Sequence, residues 1–422
     1  METPAFTETP ALLSNGLDYY KPTMSQLLYE QEPELVTTFS FKNRGEQRLA
    51  DYVDADTLQA RLTGLAERGW QTEELAFLGG LRNSDGYPVF GGNFLAHLRN
   101  SELPVPQVSR DPETNDLAIS VSGEGSIVTF WETVIMSEVN EQYFENYVTA
   151  HGLDLEAIYD EGDQRLSDKI AALQAHPGVK FADFGTRRHF SLKWQRHVLE
   201  RLQVECPGNL VGTSNVGLAQ QLGLKPIGTF AHEMPMVYAG LADVRGEDLR
   251  GSHQQFLQDW FERYGEDLSI ALTDTFTTDF FFSDFTAEQA QNWRGVRHDS
   301  GDAVEFGEKV ISFYEQNNVD PTTKTIVFSD GLDIAEIIKL QAIFGERINT
   351  VFGWGTTLTN DLGIPALNIV MKATHVRTPD GEADTVKLSD NPGKHTGPEA
   401  QIRRYTHAFG ALALTGTQSG TA

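Results

Sequence analysis

The chain has 422 residues, of which 40% are hydrophobic and 22% are charged, and its formal net charge is -27. This length predicts two domains or one large barrel with additions, and the composition is typical of a globular protein. The negative charge argues against binding to nucleic acid or to anionic membranes, and no apolar run is long enough for a membrane helix. A single cysteine, Cys206, excludes an internal disulfide, and the N-terminus shows no signal peptide, so we expect a cytoplasmic protein.

The N-terminal third mixes short helical and strand patterns, which predicts an α+β region. Residues 37–43 have the pattern of a strand, and residues 105–125 that of a hairpin around a Pro/Asn/Asp turn. Residues 54–69 predict a helix closed by a glycine, and residues 137–150 predict a helix opened by Ser137.

From about residue 179, apolar runs of about five residues recur, and each ends in a small polar cluster. In chain order they are VKFADFGTRR, NLVGTSN, PIGTFAHE, SIALTDTF, RGVRHDSGD, TIVFSDGLD and NTVFGWGTT. Because helical patterns separate most of them, they predict an α/β fold with an irregular parallel β/α barrel. An open doubly wound sheet is the alternative. We expect the barrel over residues 141–365, and an α+β domain built from the N- and C-terminal segments, residues 1–140 and 366–422.

Polar residues follow each predicted strand. In a parallel barrel the carboxyl ends of the strands form one rim, which carries the chemistry, so these residues should converge there. They are Arg187, Thr213, His232, Asp274, Arg297, Asp299, Asp330 and Thr356. The Arg297 guanidinium suits a carboxylate or phosphate, and Asp299 can accept hydrogen bonds from sugar hydroxyls on the same side of the strand end. Each motif alone could equally be an ion pair, a helix cap or a tight turn.

Metal and phosphate motifs are sparse. The sequence has no HExxH motif, no Cys/His set with zinc spacing and no GxxxxGK[ST] phosphate loop. Asp299 and Asp330 could contact Mg²⁺ through a bound phosphate, although the metal ligands themselves stay unassigned. The backbone N–H groups of GWGTT, residues 353–357, could hold a phosphate.

The ordered set DYYK, FKNR, DFGTRR, GTSN, GTFAHE, RHDSGD, FSDGLD, FGWGTT and KLSDNPGK resembles the nicotinate phosphoribosyltransferase family of type II phosphoribosyltransferases. The resemblance covers about residues 12–410. It implies synthesis of nicotinate mononucleotide and pyrophosphate from nicotinate and phosphoribosyl pyrophosphate, in NAD biosynthesis by nicotinate salvage. It also implies coupling to ATP hydrolysis through a phosphohistidine, with ATP as co-substrate and Mg²⁺ as the metal.

The same resemblance assigns roles to individual residues. The phosphohistidine would be His232, and Asp299 and Asp330 would be the carboxylates around the ribose. On physical grounds, Glu233 or a nearby carboxylate could orient the imidazole of His232 and stabilise its cationic form. On the nicotinate side the residues would be Tyr20, Phe184, Arg187, Thr229 and Arg297, with Tyr20 reaching the site from the neighbouring subunit of a homodimer. On the phosphoribosyl pyrophosphate side they would be Arg44, Gly355, Thr356 and Lys394.

Other functions stay open at this point. The same fold could use nicotinamide or quinolinate, although relatives that use nicotinamide carry an Asp where this chain has Ser214. A non-catalytic barrel that binds a phosphorylated sugar and a metal-dependent hydrolase are further alternatives.

Overall fold

The computed structural model describes residues 12–410, apart from the side chain of Pro392. Eleven strands lie within these residues: β1 (Val36–Asn43), β2 (Gln107–Arg110), β3 (Leu117–Glu124), β4 (Phe181–Asp183), β5 (Leu210–Thr213), β6 (Ile270–Leu272), β7 (Gly295–His298), β8 (Thr325–Phe328), β9 (Asn349–Trp354), β10 (Ile369–Thr378) and β11 (Gly381–Asp384).

The α-helices of the same residues are α1 (Tyr20–Gln31), α2 (Ala55–Arg68), α3 (Thr72–Gly80), α4 (Gly92–Asn100), α5 (Gly125–Val128), α6 (Trp131–Ala150), α7 (Leu155–Ala175), α8 (Leu192–Glu205), α9 (Val216–Leu222), α10 (Glu233–Arg245), α11 (Leu249–Tyr264), α12 (Thr278–Asp284), α13 (Ala287–Asn292), α14 (Ala303–Gln316), α15 (Ile334–Phe344), α16 (Thr356–Thr359) and α17 (Glu399–Gly410). None of the helices described combines the length and apolar character that crossing a membrane requires. The first eleven residues, on which the expectation of no signal peptide rests, lie outside the described part.

Five strands form an antiparallel sheet in the order β11-β10-β1-β3-β2, so its strands come from both ends of the chain. The strand predicted at residues 37–43 and the hairpin predicted at 105–125 are β1 and the β2–β3 pair. The α+β character predicted for this part of the chain is therefore confirmed. The domain boundaries stay a prediction, and α6 runs without interruption across residue 140.

Six strands form a parallel sheet in the order β5-β4-β9-β8-β7-β6. Starting at β4, the order round the barrel is β4, β5, β6, β7, β8 and β9, and β9 pairs with β4 again. The gap between β5 and β6 is bridged by residues 225–229. Here Thr213 N donates to Lys225 O, Ile227 N donates to Thr213 O, and the Thr229 hydroxyl donates to Ile270 O at 3.0 Å. The fold class, an irregular β/α barrel with an α+β part, is confirmed.

Two details of the predicted elements are wrong. The run PIGTFAHE makes a single bridge to β5 instead of a strand; Thr213 N and Ile227 N supply the donors of this bridge, and Pro226 has no N–H with which to extend pairing on its other side. Helix α6 begins at Trp131, six positions before the predicted start at Ser137. The Ser137 hydroxyl does not cap this helix; it is buried within it and lies 3.2 Å from His189 Nε2.

The two sheets share one continuous hydrophobic core, to which both Phe39 of β1 and Phe352 of β9 belong. Because protein cores are closely packed, this shared core fixes β1 and β10 relative to the barrel.

Candidate active site

A cavity of about 980 Å³ lies where the carboxyl ends of the parallel strands face β1 and β10. Most residues predicted for the site line it; Glu233 does not, and Thr213 and Asp274, also expected at the rim, are buried behind it. Those that line it are Tyr20, Arg44, Phe184, Arg187, Thr229, His232, Arg297, Asp299, Asp330, Gly355, Thr356 and Lys394. Residues that are distant in sequence therefore lie together at the carboxyl ends of the parallel strands, as predicted.

His232 is the N-cap residue of α10, and its ring is held by groups from several loops. Its Nδ1 lies 3.0 Å from Thr275 Oγ1, and its Nε2 lies 2.9 Å from both Asp299 Oδ2 and Lys387 Nζ. Burial lowers the pKa of His232 to about 4; Lys387 adds to this effect, whereas Asp274 and Asp299 oppose it. The imidazole is therefore neutral at pH 7 and keeps a nitrogen lone pair.

Glu233 does not orient His232, which corrects the prediction. Helix α10 starts at Glu233, and the helical turn carries its carboxylate away from the cavity to a buried site. There Glu233 Oε2 lies 2.5 Å from Lys21 Nζ and 3.0 Å from Thr129 Oγ1. Asp299 is the carboxylate in hydrogen-bond contact with the imidazole.

Arg297 and Asp299 lie at the end of β7, one residue apart, and both face the cavity as predicted. Arg297 Nη1 donates to Phe230 O at 3.3 Å, while its Nε is buried without a hydrogen-bond partner in the described structure. Burial would raise the pKa of Asp299, but the hydrogen bond with His232 and the charge of Arg297 hold it well below its usual range. The site thus has an ionised carboxylate beside a guanidinium that can still bind an anion.

Tyr20 lines the cavity of its own chain and is only 6% exposed there, and its role in the site of a neighbouring subunit stays a prediction. Its ring lies 5.8 Å from the Arg187 guanidinium, and Arg187 Nε is 3.3 Å from Asp18 Oδ2. Asp18 Oδ1 accepts a hydrogen bond from the Ser214 hydroxyl at 2.6 Å. A carboxylate therefore lies next to Ser214 after all, but Arg187 pairs with it.

Buried side chains hold the loop after β9 in place by packing and hydrogen bonds. Gly353 is needed because a Cβ there would lie 2.5 Å from the Phe184 ring. Trp354 is fully buried, and its indole N–H donates to Thr357 Oγ1 at 2.6 Å. Lys169 Nζ donates to Thr357 O at 2.6 Å. Residues 356 and 357 begin α16, so their N–H groups have no intrahelical partner and can meet a ligand.

Cations are concentrated in this cavity although the chain as a whole is strongly acidic. Those that line it are Lys42, Arg44, Arg187, Arg188, Arg297, Lys372, Lys387 and Lys394. Lys394 Nζ lies 3.0 Å from Asp330 Oδ2. The positive pocket that the sequence requires for a phosphorylated ligand is therefore present.

The carboxylates fit Mg²⁺ only in part. Ligand atoms of His232, Asp274 and Asp299 lie within 4.8 Å of one another, but Lys387 Nζ already lies among them, 3.3 Å from Asp274 Oδ2. The oxygens of Asp299 and Asp330 face the cavity and suit a Mg²⁺ ion that is also bound by phosphate oxygens.

Three residues of the site, Asp18, Glu132 and Lys387, were not assigned to it from the sequence. Asp18 is the first residue of the DYYK motif. A carboxylate next to aromatic residues is the feature by which the sequence could have identified Asp18 as a site residue. Glu132 lines the cavity from α6, where it is the only charged residue in the run TFWETVIM. Lys387, which contacts His232, is the first residue of the KLSDNPGK motif but was given no role of its own.

Comparison with known proteins gives a consistent result. The model of the "Nicotinate phosphoribosyltransferase (NAPRTase) family" matches residues 179–411, and the model of its N-terminal domain matches residues 16–140. A curated nicotinate phosphoribosyltransferase from Chromobacterium violaceum is 38% identical over 386 residues, which are 89% of this chain and 91% of the relative.

Solved structures agree with the sequence matches. A nicotinate phosphoribosyltransferase from Porphyromonas gingivalis has a TM-score of 0.84 at 31% identity and covers 94% of this chain and 99% of its own. One from Vibrio cholerae has a TM-score of 0.78 at 30% identity and covers 97% of this chain and 98% of its own. This chain belongs to the nicotinate phosphoribosyltransferase family.

Proposed function

We propose that this chain makes nicotinate mononucleotide and pyrophosphate from nicotinate and phosphoribosyl pyrophosphate. The observation that carries the proposal is the meeting of Arg297, Asp299, His232 and the loop at Gly355 in one cationic cavity. Family membership supports the reaction class, and the cavity supplies groups for each part of the substrates.

Nicotinate would be bound through its carboxylate by Arg297, whose Nε has no other partner among the described residues. The fork of a guanidinium can donate two parallel hydrogen bonds to a carboxylate. Tyr20 and Phe184 would pack against the pyridine ring, and Thr229 would contact it from the loop that bridges the barrel.

Phosphoribosyl pyrophosphate would extend from there toward the loops after β8 and β9. The N–H groups near Thr356 would hold the 5-phosphate, and Arg44 and Lys394 would bind the pyrophosphate. The carboxylates of Asp299 and Asp330 would contact the ribose and stabilise the positive charge that develops on it. The pyridine nitrogen then forms a bond to carbon 1 as pyrophosphate leaves with the electrons of the broken C–O bond.

Mg²⁺ would be held by Asp299 and Asp330, and when bound it would neutralise part of the pyrophosphate charge. His232 would accept a phosphoryl group from ATP: an imidazole nitrogen forms the N–P bond and ADP leaves with the bridging oxygen. The neutral state of the buried imidazole supports this role, because only a free lone pair can attack. The added charge would favour the arrangement that binds phosphoribosyl pyrophosphate.

A cytoplasmic location and a homodimer remain predictions. The resemblance implies that Tyr20 contributes to a site shared between subunits, and this contribution is part of the homodimer prediction.

The proposal is tested by comparing nicotinate, nicotinamide and quinolinate as substrates with phosphoribosyl pyrophosphate. We expect kcat/KM to be highest for nicotinate, since the Nε of Arg297 has no hydrogen-bond partner among the described residues and Arg187 compensates the charge of Asp18. Because the Asp18 carboxylate lies beside Ser214, nicotinamide is the main alternative substrate. A higher kcat/KM for nicotinamide than for nicotinate would overturn the proposal that nicotinate is the substrate. Binding of phosphoribosyl pyrophosphate without product from any pyridine would instead support a non-catalytic barrel.

Replacing Arg297 by Ala should raise the KM for nicotinate by roughly 10- to 100-fold, since a hydrogen bond to a charged group contributes about 1.5–3 kcal/mol. Steady-state kinetics with varied nicotinate would measure this. The matched control is Arg294→Ala, because Arg294 is an exposed arginine just before the same strand. An unchanged KM in Arg297→Ala would remove Arg297 from nicotinate recognition.

A further inference from the structure

Lys372 is a cation of the cavity to which neither sequence motif nor family resemblance gives a role. It lies on β10 opposite Ser40 of β1, and its side chain is 17% exposed. In the described structure its ammonium group makes no hydrogen bond, and the nearest carboxylate oxygen, Glu132 Oε1, is 3.7 Å away. An ammonium group has three donors, so this one is open to bind an anionic ligand in the cavity.

Glu132 holds Lys372 in place without satisfying it. The Oε2 atom of Glu132 lies 2.5 Å from Lys21 Nζ, while its Oε1 atom has no hydrogen-bond partner in the described residues. Lys21 in turn contacts Glu233, so a chain of alternating charges runs from the cavity into the core. Lys372 is the end of this chain that faces the cavity, and it is the member left without a close anion.

The charges around Lys372 indicate that the missing partner is an anion. Burial lowers the pKa of Lys372 to about 8; Lys387 and Arg187 also lower it, whereas Glu132 and Asp299 oppose this. Lys387 contacts His232, and Arg187 lies toward the predicted nicotinate side. Lys372 therefore feels the charges of two other cations of the cavity, Lys387 and Arg187, and a bound phosphate would relieve their mutual repulsion.

We propose that Lys372 is a further catalytic residue, whose ammonium group binds the pyrophosphate oxygen that leaves carbon 1 of the ribose. This rests on the proposed function. As the C–O bond breaks, its electrons stay on that oxygen, and the pyridine nitrogen supplies the pair for the new C–N bond. Lys372 donates hydrogen bonds to the growing negative charge and keeps its proton. Glu132 is a positioning residue that holds the ammonium group at this point.

Kinetics of Lys372→Met provide the first test. We expect kcat/KM for phosphoribosyl pyrophosphate to fall by about 10²- to 10³-fold, the usual effect of removing one donor to developing charge. The KM for nicotinate should change little, and Lys372→Arg should recover part of the loss. The melting temperature should fall only slightly, because the side chain makes no hydrogen bond to the protein and Glu132 keeps its closer partner Lys21. Lys309→Met, at an exposed surface pair with Asp279, is the matched control. Unchanged kinetics in Lys372→Met would overturn the proposal.

The pH profile separates this role from a structural one. Because kcat/KM reports groups of the free enzyme, it should decrease as the pH rises through about 8, where Lys372 loses its charge. In Lys372→Arg this decrease should move to higher pH. In Glu132→Gln it should move to lower pH, since the carboxylate that raises the Lys372 pKa is gone. Identical alkaline limbs in the wild type and both variants would contradict the assignment.

Binding of pyrophosphate itself tests the inference independently of turnover. Calorimetric titration with pyrophosphate, with and without Mg²⁺, should show at least 10-fold weaker binding to Lys372→Met than to the wild type. If that difference appears but no enzyme form makes nicotinate mononucleotide, the proposed function fails while the pyrophosphate contact stands. If both proteins bind pyrophosphate equally, the inference fails even where the wild type turns over.

Discussion

Replacing Lys21 by Met is expected to lower the free energy of unfolding by about 3–5 kcal/mol, the usual cost of leaving buried charges unpaired. Lys21 is completely buried, and its ammonium group lies 2.5 Å from carboxylate oxygens of both Glu132 and Glu233 and 3.2 Å from Thr129 Oγ1. The substitution keeps the apolar stem but leaves two carboxylates without their cation. Urea denaturation at pH 7 would measure the loss.

The effect should depend on pH in a defined direction. Burial would raise the pKa of Glu132, but Lys21 and then Lys372 hold it at about 2. Ionised Glu132 therefore stabilises the wild type above the unfolded value of about 4.3, and this contribution is lost as the pH falls toward 2. Without Lys21 the folded pKa rises, so the penalty should grow as the pH rises from about 4.5 to 7.

Two controls accompany this variant. Lys309→Met removes an exposed ion pair and should change stability by less than about 1 kcal/mol. Adding Glu132→Gln and Glu233→Gln to Lys21→Met should recover part of the stability, because the unpaired charges are then gone. Equal stability of Lys21→Met and the wild type would show that this buried network does not hold α1, α6 and α10 together.

Replacing His232 by Ala should abolish the stimulation by ATP while slow synthesis without ATP continues. The imidazole is the proposed phosphoryl acceptor, and the groups that surround it, Asp299 and Lys387, cannot replace its nitrogen. The measurements are the ratio of product formed with and without ATP, which should fall to about 1, and acid-labile labelling from γ-labelled ATP.

His176→Ala is the matched control, since His176 is an exposed imidazole outside the cavity. It should keep both the ATP stimulation and the label. Retained ATP coupling in His232→Ala would refute the role of His232, whatever the effect on overall rate.

The barrel could be predicted because its signals are local: an apolar run followed by polar residues recurs with helical segments between most of the runs. Once the strands are parallel, the carboxyl ends must converge, which is why His232, Arg297 and Asp330 were expected together and do line one cavity. Residue spacing also sufficed for Arg297 and Asp299, because alternate residues of a strand share a face.

The failures concern contacts that no local pattern encodes. Glu233 or a nearby carboxylate was expected to orient His232, but the start of α10 turns the Glu233 side chain to Lys21, and Asp299 is the carboxylate that contacts the imidazole. The pair formed by Glu132 and Lys372 joins a helix to a strand far along the chain. The part of the cavity wall that α1 supplies depends on how tertiary packing places that helix against the barrel.

The most direct test of the account follows both products by phosphorus NMR when nicotinate and phosphoribosyl pyrophosphate are mixed with the enzyme, with and without ATP. We expect nicotinate mononucleotide and pyrophosphate to form in equal amounts, and to form faster when ATP is hydrolysed. Consumption of phosphoribosyl pyrophosphate without the mononucleotide, or no consumption under either condition, would contradict it.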